Sequence, residues 1–172
     1  MNKIDLEITL RDAAQVDLKA IQQIFNEVLM HTTATFEETP YTLNAWNEIF
    51  VMKQEQNLPF IVIEHKDEVI GYGTYGPFRK ASGYKITMEH SLHVDKRFRS
   101  RGIGNAILAE LIHRASLSGV ENLVAAVDAD NLPSIQIHKK FGFVETGRMP
   151  NVARKFSRNL TLSLLQLQIK KS

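Results

Sequence analysis

The sequence predicts a mixed α/β protein, in which a central twisted sheet has helices on both faces. Strands are predicted where apolar and polar residues alternate, and helices where apolar residues recur three or four positions apart. Along the chain these patterns follow the order β-α-α-β-β-β-α-β-α-β-β, which predicts a layered sheet-and-helix architecture. A length of 172 residues predicts a single domain over residues 1–172.

The first half of the chain is predicted to form four strands and two helices. Apolar residues alternate with polar ones around Ile8, whereas Leu18, Ile21 and Phe25 share one face of a helix. Thr42 is a plausible N-cap, because its hydroxyl can accept a backbone N–H hydrogen bond. In order, the elements are a strand at 6–10, helices at 17–29 and 42–56, and strands at 59–65, from 69, and at 84–94, with polar loops at 31–40 and 77–83.

The second half is predicted to form two helices and three strands. Asn131 is typical of an N-cap, Pro133 suits the first turn that follows it, and Gly142 suits the end of the same helix. In order, the elements are a helix at about 103–118, a strand at 123–127, a helix at 131–141, and strands at 143–148 and 158–169.

Composition and charge narrow the classes of function. The net charge of +2 is too small to favour nucleic acid as a partner. With no cysteine, disulfides and thiolate metal sites are excluded, and the 6 histidines do not follow a zinc-binding spacing, so no metal is expected. We see neither a signal-peptide pattern nor an apolar run long enough to cross a bilayer, and expect a cytoplasmic protein without a membrane partner.

The most informative segment is Arg99-Ser100-Arg101-Gly102-Ile103-Gly104, between a predicted strand and a predicted helix. Glycines allow a tight turn with exposed amides, and the helix N-terminus beyond it favours an anion. The segment lacks the Gly-Lys-Ser/Thr of a Walker A loop, and Ile107 stands where a dinucleotide fingerprint needs its third glycine. It therefore predicts a phosphate-binding loop, with a basic turn that caps an ordinary helix as the alternative.

The spacing Arg99-x-x-Gly102-x-Gly104 resembles the pyrophosphate loop of the GNAT superfamily of N-acyltransferases, and the order of elements resembles the GNAT fold. Further segments resemble phosphinothricin and methionine sulfoximine acetyltransferases over about residues 7–169. These segments include Thr32-Thr33-Ala34, Gly71-Tyr72-Gly73, Phe78-Arg79, Glu89-His90-Ser91, His138-Lys139-Lys140-Phe141-Gly142-Phe143 and Lys155-Phe156. Ser157, Asn159 and Thr161 depart from the family pattern, which leaves the acceptor open.

The resemblance implies acetyl-CoA as co-substrate, with its pyrophosphate on the loop amides. It also implies that the pantetheine arm lies along the end of the strand before the loop. The implied contacts are Leu92, His93, Val94, Arg99, Ser100, Arg101, Gly102, Ile103, Gly104, Asn105, Asn131 and Lys140.

Glu89 and His138 are the candidate catalytic residues. Strand alternation places Glu89 on the face of Thr87, Ser91 and His93, where a carboxylate could take a proton from an ammonium group. The pattern alone favours a solvated or ion-paired glutamate, and the resemblance at Glu89-His90-Ser91 reverses this in favour of the base. The resemblance implies that His138 is the acid that protonates the departing thiolate, while a surface histidine beside two lysines is the alternative. His90 is predicted to lie on the same strand face as the apolar Met88, Leu92 and Val94, which favours a hydrogen-bonded core histidine.

Arg79 is the candidate ligand for an acceptor carboxylate, because a guanidinium can pair with it bidentately; a solvated loop arginine is the alternative. The full predicted acceptor set is Arg79, Ser82, Gly83, Tyr84, Thr32, Phe36 and Lys155. Together with the resemblance, these residues predict acetyl transfer from acetyl-CoA to the α-amino group of a small amino acid, in a homodimer. Acetylation of protein N-termini, lysines or polyamines, or acyl-CoA sensing without catalysis, are the alternatives.

Overall fold

The computed structural model describes residues 6–169 and confirms the mixed α/β class. The predicted order of helices and strands is also the observed one. The elements are β1 Thr9–Asp12, α1 Leu18–His31, α2 Leu43–Glu55, β2 Phe60–His65, β3 Glu68–Pro77, β4 Thr87–Val94, α3 Ile103–Leu117, β5 Asn122–Asp128, α4 Leu132–Lys140, β6 Val144–Lys155 and β7 Arg158–Gln168.

The strands form a seven-stranded mixed sheet in the order β1-β2-β3-β4-β5-β7-β6. Strand β4 pairs with β5 in parallel, over Thr87–Glu89 and Asn122–Val124. The pairs β1–β2, β2–β3, β5–β7 and β6–β7 are antiparallel. The parallel pair requires a long crossover, which α3 and the loop before it supply.

The described residues divide into two compact units, and the single-domain prediction stays a prediction. The first unit contains the residues up to Glu27, Tyr41–Tyr75 and Ser91–Leu111. Its core combines fully buried aliphatic side chains with a cluster of aromatic rings. The aromatic cluster consists of Phe25, Tyr41, Trp46, Phe60, Tyr72 and His93, with neighbouring ring centroids 4.9–6.1 Å apart.

The second unit contains Val28–Pro40, Gly76–His90 and the residues from Ile112 onward. Strands β5, β6 and β7 form most of it, and Leu123 and Leu165 are fully buried there. Helix α4 buries Ile135 and His138, which are three residues apart and therefore share a helix face.

Three predicted boundaries were wrong. Strand β1 begins at Thr9 and not at residue 6, and Ser82–Tyr84 forms a short 3₁₀ turn, so β4 begins at Thr87. Strand β6 continues past Arg148 to Lys155. The hairpin after β6 is tight because Phe156 and Ser157 both adopt positive φ angles, which turn the chain within two residues.

The predicted helix signals at Thr42, Asn131 and Pro133 are confirmed. The Thr42 side chain accepts a hydrogen bond from the Ala45 N–H, and the Asn131 side chain accepts one from the Ser134 N–H, while Pro133 lies in the first turn of α4. Among residues 6–169, no helix is both long and apolar enough to cross a membrane.

We predict that Gly73→Ala destabilises the protein, because β3 packs closely against α3 at this position. An added Cβ would lie 2.5 Å from Ile107 Cγ2 and 3.0 Å from Leu111 Cδ1. Overpacking of this kind costs about 1–3 kcal/mol. Gly83→Ala is the matched control, since a Cβ there meets nothing within 4 Å. Urea unfolding measures both variants, and equal unfolding free energies would contradict the close packing.

Candidate active site

The predicted phosphate-binding loop leads directly into α3, within the first unit. Ser100 and Gly102 have φ angles of +62° and +86°, which bend the chain sharply before the helix. The first backbone hydrogen bond of α3 joins the Ala106 N–H to the Gly102 carbonyl. Helix geometry therefore gives the N–H groups of residues 103–105 no partner in the preceding turn, and this suits a bound anion.

The two arginines of this loop differ in their surroundings. The Arg99 guanidinium donates to Glu27 Oε2 at 2.9 Å and to the Val94 carbonyl at 3.1 Å. Arg101 is exposed, with its guanidinium carbon 6.0 Å from the centroid of the Phe98 ring. Arg99 thus fixes the loop to α1 and to the end of β4, and Arg101 is the more accessible charge for a ligand.

His93 on β4 is packed among aromatic rings. Its ring centroid lies 5.5 Å from that of Phe25 and 5.4 Å from that of Tyr72. Burial, assisted by the nearby charge of Arg99, lowers the pKa of His93 to about 4, so the ring is neutral at physiological pH. Because the His93 ring is packed in this way, the backbone of Leu92, His93 and Val94 is better suited than that side chain to the predicted contact with the pantetheine arm.

Glu89 and Arg79 both belong to the second unit, where the positive charge of Arg79 acts on the Glu89 carboxyl. Glu89 is half-buried, and burial raises the pKa of its carboxyl while the Arg79 charge opposes that rise. The guanidinium of Arg79 lies 4.0 Å from the Phe78 ring and donates to the Phe78 carbonyl at 2.7 Å. The raised pKa suits this carboxylate to receiving a proton, while the Arg79 charge favours its ionised form beforehand.

Tyr84 contacts the same aromatic ring as Arg79. Its ring centroid lies 5.8 Å from that of Phe78, and Ser82 and Gly83 share its exposed 3₁₀ turn. Three of the predicted acceptor residues therefore occupy one short turn, close to Phe78.

His138 faces another histidine and not an open surface. Its Nε2 lies 2.9 Å from His90 Nε2, and its Nδ1 lies 2.7 Å from the Ser134 carbonyl oxygen. Burial lowers the pKa of His138, which makes the ring neutral near pH 7. A neutral ring with both nitrogens engaged does not support the predicted role of an acid for a departing thiolate.

The segment 32–40 is fixed by polar contacts within the second unit. The Thr32 hydroxyl donates to the Val28 carbonyl at 2.8 Å, which places Thr32 in the turn at the end of α1. The Thr33 hydroxyl donates to Asp128, and Lys155 Nζ donates to the Thr35 carbonyl at 2.7 Å. Phe36 is half-buried. The segment thus has one anchor on β5 and one on β6.

Lys155 lies outside the strands predicted at 143–148 and 158–169, but it is the buried last residue of β6, with 2% of its surface exposed. Burial lowers the pKa of its amine, and Glu38 and Glu37 oppose this shift. Its described hydrogen bond goes to the segment 32–40, which makes it a support for that segment. Lys140, at the end of α4, is exposed.

Sequence reasoning missed Asp128 and the partner of His138. Asp128 has 2% of its surface exposed, accepts from Thr33 and lies 3.9 Å from Arg158 Nη2. An acidic residue directly after the apolar run of β5 was the available signal. For the histidine pair, the available signals were that His90 shares a strand face with apolar residues and that His138 shares a helix face with Ile135, three residues before it.

Within residues 6–169, no group of three or more histidine, cysteine or acidic side chains is arranged to hold a metal ion.

Comparison with known proteins identifies the class. A family model described as "Acetyltransferase (GNAT) family" matches residues 19–143. The chain therefore belongs to the GNAT acetyltransferase family, and it is an acetyltransferase.

Individual relatives agree over nearly the whole chain. An L-methionine sulfoximine/L-methionine sulfone acetyltransferase of Pseudomonas aeruginosa is 37% identical, over 95% of this chain and 96% of the relative. An N-acetyltransferase structure from Staphylococcus aureus Mu50 has a TM-score of 0.94 and 37% identity, over 95% of this chain and 99% of that one. A phosphinothricin acetyltransferase from Sinorhizobium meliloti in complex with AcCoA has a TM-score of 0.91 and 31% identity, over 94% and 88%.

We predict that Arg79→Ala raises the pKa of Glu89 further, because it removes the positive charge that opposes the effect of burial. Lys80→Ala is the matched control, since Lys80 is the neighbouring exposed cation. The side-chain carboxyl signal of Glu89, followed by NMR during a pH titration, measures the shift. A Glu89 pKa that responds equally to both substitutions would show that the guanidinium has no specific effect.

Proposed function

We propose that this protein transfers an acetyl group from acetyl-CoA to the α-amino group of a small amino acid or a glutamate-like analogue. The observation that carries the proposal is the half-buried Glu89, with its raised pKa, under the influence of the Arg79 charge. The relatives named for methionine sulfoximine, methionine sulfone and phosphinothricin support the choice of acceptor, since all three are amino acids or close analogues.

Acetyl-CoA binding is supported by the family and by the relative solved with AcCoA. Bound acetyl-CoA supplies an acetyl group on a thioester. We propose that the N–H groups from Ser100 to Asn105 hold its pyrophosphate, with Arg101 beside them. We keep as further contacts Leu92, His93, Val94 and Arg99, together with Asn131 and Lys140. The pairing of β4 with β5 ends at Glu89, which supports our proposal that the β4 backbone beyond Glu89 contacts the pantetheine arm.

Glu89 acts as the general base. A peptide α-amino group has a pKa of about 8 in water, and the carboxylate of a free amino acid raises the amine pKa further. The acceptor is therefore mostly an ammonium ion at pH 7 and must lose a proton before it attacks. The raised pKa of Glu89 brings the carboxylate closer to the amine in proton affinity, which favours that transfer. No cysteine occurs in the 172 residues, and we propose direct attack by the amine without a cysteine acyl-enzyme.

Arg79 binds the carboxylate of the acceptor through its planar guanidinium. Its stacking on Phe78 orients the guanidinium, and Tyr84 contacts the same ring. Ser82, Gly83, Thr32 and Phe36 complete the proposed acceptor surroundings, and Lys155 acts by holding the Thr35 backbone. His138 remains a proposed site residue, and its hydrogen bonds to His90 and to the Ser134 carbonyl give it a positioning role.

We also propose that the protein works in the cytoplasm as a homodimer and needs no metal, nucleic acid or membrane. Light scattering on the purified protein measures its mass, and activity after dialysis against a chelator tests the metal requirement.

The experiment that tests the function is a panel of amino acids assayed with acetyl-CoA, each beside its carboxamide. We expect turnover for methionine sulfoximine, methionine sulfone or phosphinothricin, and a much lower kcat/KM for the carboxamides, because they lack the charge that Arg79 binds. Turnover of lysine side chains or polyamines without turnover of any free α-amino acid would overturn the proposal.

We predict that Gly104→Val weakens acetyl-CoA binding, because a branched side chain in the first turn of α3 obstructs the approach of a phosphate to the amides. Ala109→Val on the exposed face of the same helix is the matched control for the lower helix propensity of valine. Calorimetry with CoA measures both variants. Equal CoA affinity in folded Gly104→Val and Ala109→Val would place the pyrophosphate elsewhere.

We predict that Glu89→Gln lowers kcat at neutral pH by about 10²–10⁴-fold, because the amide cannot accept the proton. Wild-type activity should fall as the pH drops through the raised Glu89 pKa, since only the ionised carboxylate is a base. The variant should recover activity at alkaline pH, where the amine is already neutral. Glu55→Gln, at an exposed position of α2, is the control. Wild-type turnover in Glu89→Gln at pH 7 would contradict the assignment.

A further inference from the structure

The pairing of His90 with His138 is a feature that acetyl transfer by Glu89 does not itself require. The two Nε2 atoms are 2.9 Å apart, and 7% and 5% of the respective side chains are exposed. The Phe143 ring packs on both imidazoles, with centroid distances of 5.4 Å and 5.1 Å. Both histidines belong to the second unit, one on β4 directly after Glu89 and the other on α4.

The hydrogen-bond partners of the ring nitrogens assign the tautomers of the two histidines. The Ser134 carbonyl only accepts, so the Nδ1 of His138 must carry the hydrogen of that 2.7 Å bond. A neutral His138 then has a lone pair on Nε2. Because two lone pairs cannot face each other at hydrogen-bond distance, His90 must donate its Nε2–H to His138.

The alternative tautomer of His90 is less favourable. A hydrogen on His90 Nδ1, on the side of Val124, would leave a lone pair on His90 Nε2 and would require a doubly protonated His138. Burial disfavours that cation, and it lowers the pKa of His90 to about 3, with His138 as a further cause. The Val124 backbone lies close enough to His90 to favour a hydrogen on that ring, but Nδ1 is buried and has no partner at full hydrogen-bond geometry among residues 6–169.

Charged groups near the pair do not alter this assignment. Glu89 on β4 is half-buried, and Lys139 and Lys140 on α4 are exposed. Within the described residues, none of these three side chains forms a hydrogen bond or ion pair with either imidazole. On β5 the Val124 backbone lies beside His90, and the Phe143 ring packs on both imidazoles. Both rings are therefore neutral over the physiological pH range.

We propose that His90 is a positioning residue, whose Nε2–H bond holds His138 in the Nδ1–H tautomer and fixes β4, beside the base Glu89, against α4. His138 then serves the reaction through this bond, and its Nε2 does not carry a proton for the departing thiolate. The inference rests on the proposed function only in taking Glu89 as the base. The tautomer assignment itself is independent of the acceptor.

The test has a spectroscopic arm and a kinetic arm. In the wild-type protein, ¹⁵N NMR of the imidazoles should show hydrogen on Nδ1 of His138 and on Nε2 of His90, with both rings neutral at pH 7. In His90→Leu, the pKa of His138 should rise, because the hydrogen bond that stabilises its neutral form is lost. The kcat should fall about 10- to 100-fold from the displaced base, with the affinity for CoA unchanged.

His90→Gln is the matched variant, because its side-chain amide can place an N–H near the position of imidazole Nε2. We expect it to restore most of the kcat and the low pKa of His138. Hydrogen on Nδ1 of His90, or a doubly protonated His138 at pH 7, would overturn the proposal, and so would equal kcat losses in the Leu and Gln variants. If no amino acid is acetylated, the proposed function fails, while the wild-type NMR still decides the tautomers.

Discussion

The short parallel pairing of β4 with β5 is the constraint on which the candidate site depends. It joins Thr87–Glu89 to Asn122–Val124, and parallel strands need a long crossover between them. That crossover contains the phosphate-binding loop and α3, and α4 follows directly on β5. The proposed base and His90 lie on β4, the anion-binding amides lie in the crossover, and His138 lies on the helix that follows β5. All of these groups are therefore on segments that this one pairing begins or ends.

Local chemistry explains what the sequence could predict. Thr42 and Asn131 cap helices through their own side chains, and strand alternation depends only on neighbouring residues. Both features can therefore be predicted without knowledge of the fold. The start of β4 was misplaced because Tyr84 fits a strand pattern, whereas Ser82–Tyr84 closes a 3₁₀ turn. The end of β6 was misplaced because its outer residues are mostly exposed and carry no alternating apolar signal.

The site was predictable in its residue types and not in its contacts. Glu89, Arg79 and His138 were all identified from motifs, but the bonds around them join distant parts of the chain. His90 and His138 are 48 residues apart, Thr33 and Asp128 are 95 apart, and Thr35 and Lys155 are 120 apart. Only the fold sets such distances. The Nε2 of His138 is an example, because it meets a second imidazole that no local pattern pairs with it.

Strand β6 lies at one end of the strand order, and its pairing with β7 shifts register between Met149 and Ala153, where Asn151 has a φ angle of +55°. An unbroken edge strand offers a row of backbone groups to any other extended chain, which favours aggregation. The irregularity interrupts that row, and the exposed Arg148 and Arg154 place charged side chains along the same strand. This stretch of irregular backbone is therefore a poorer template for strand-to-strand association than a regular edge strand.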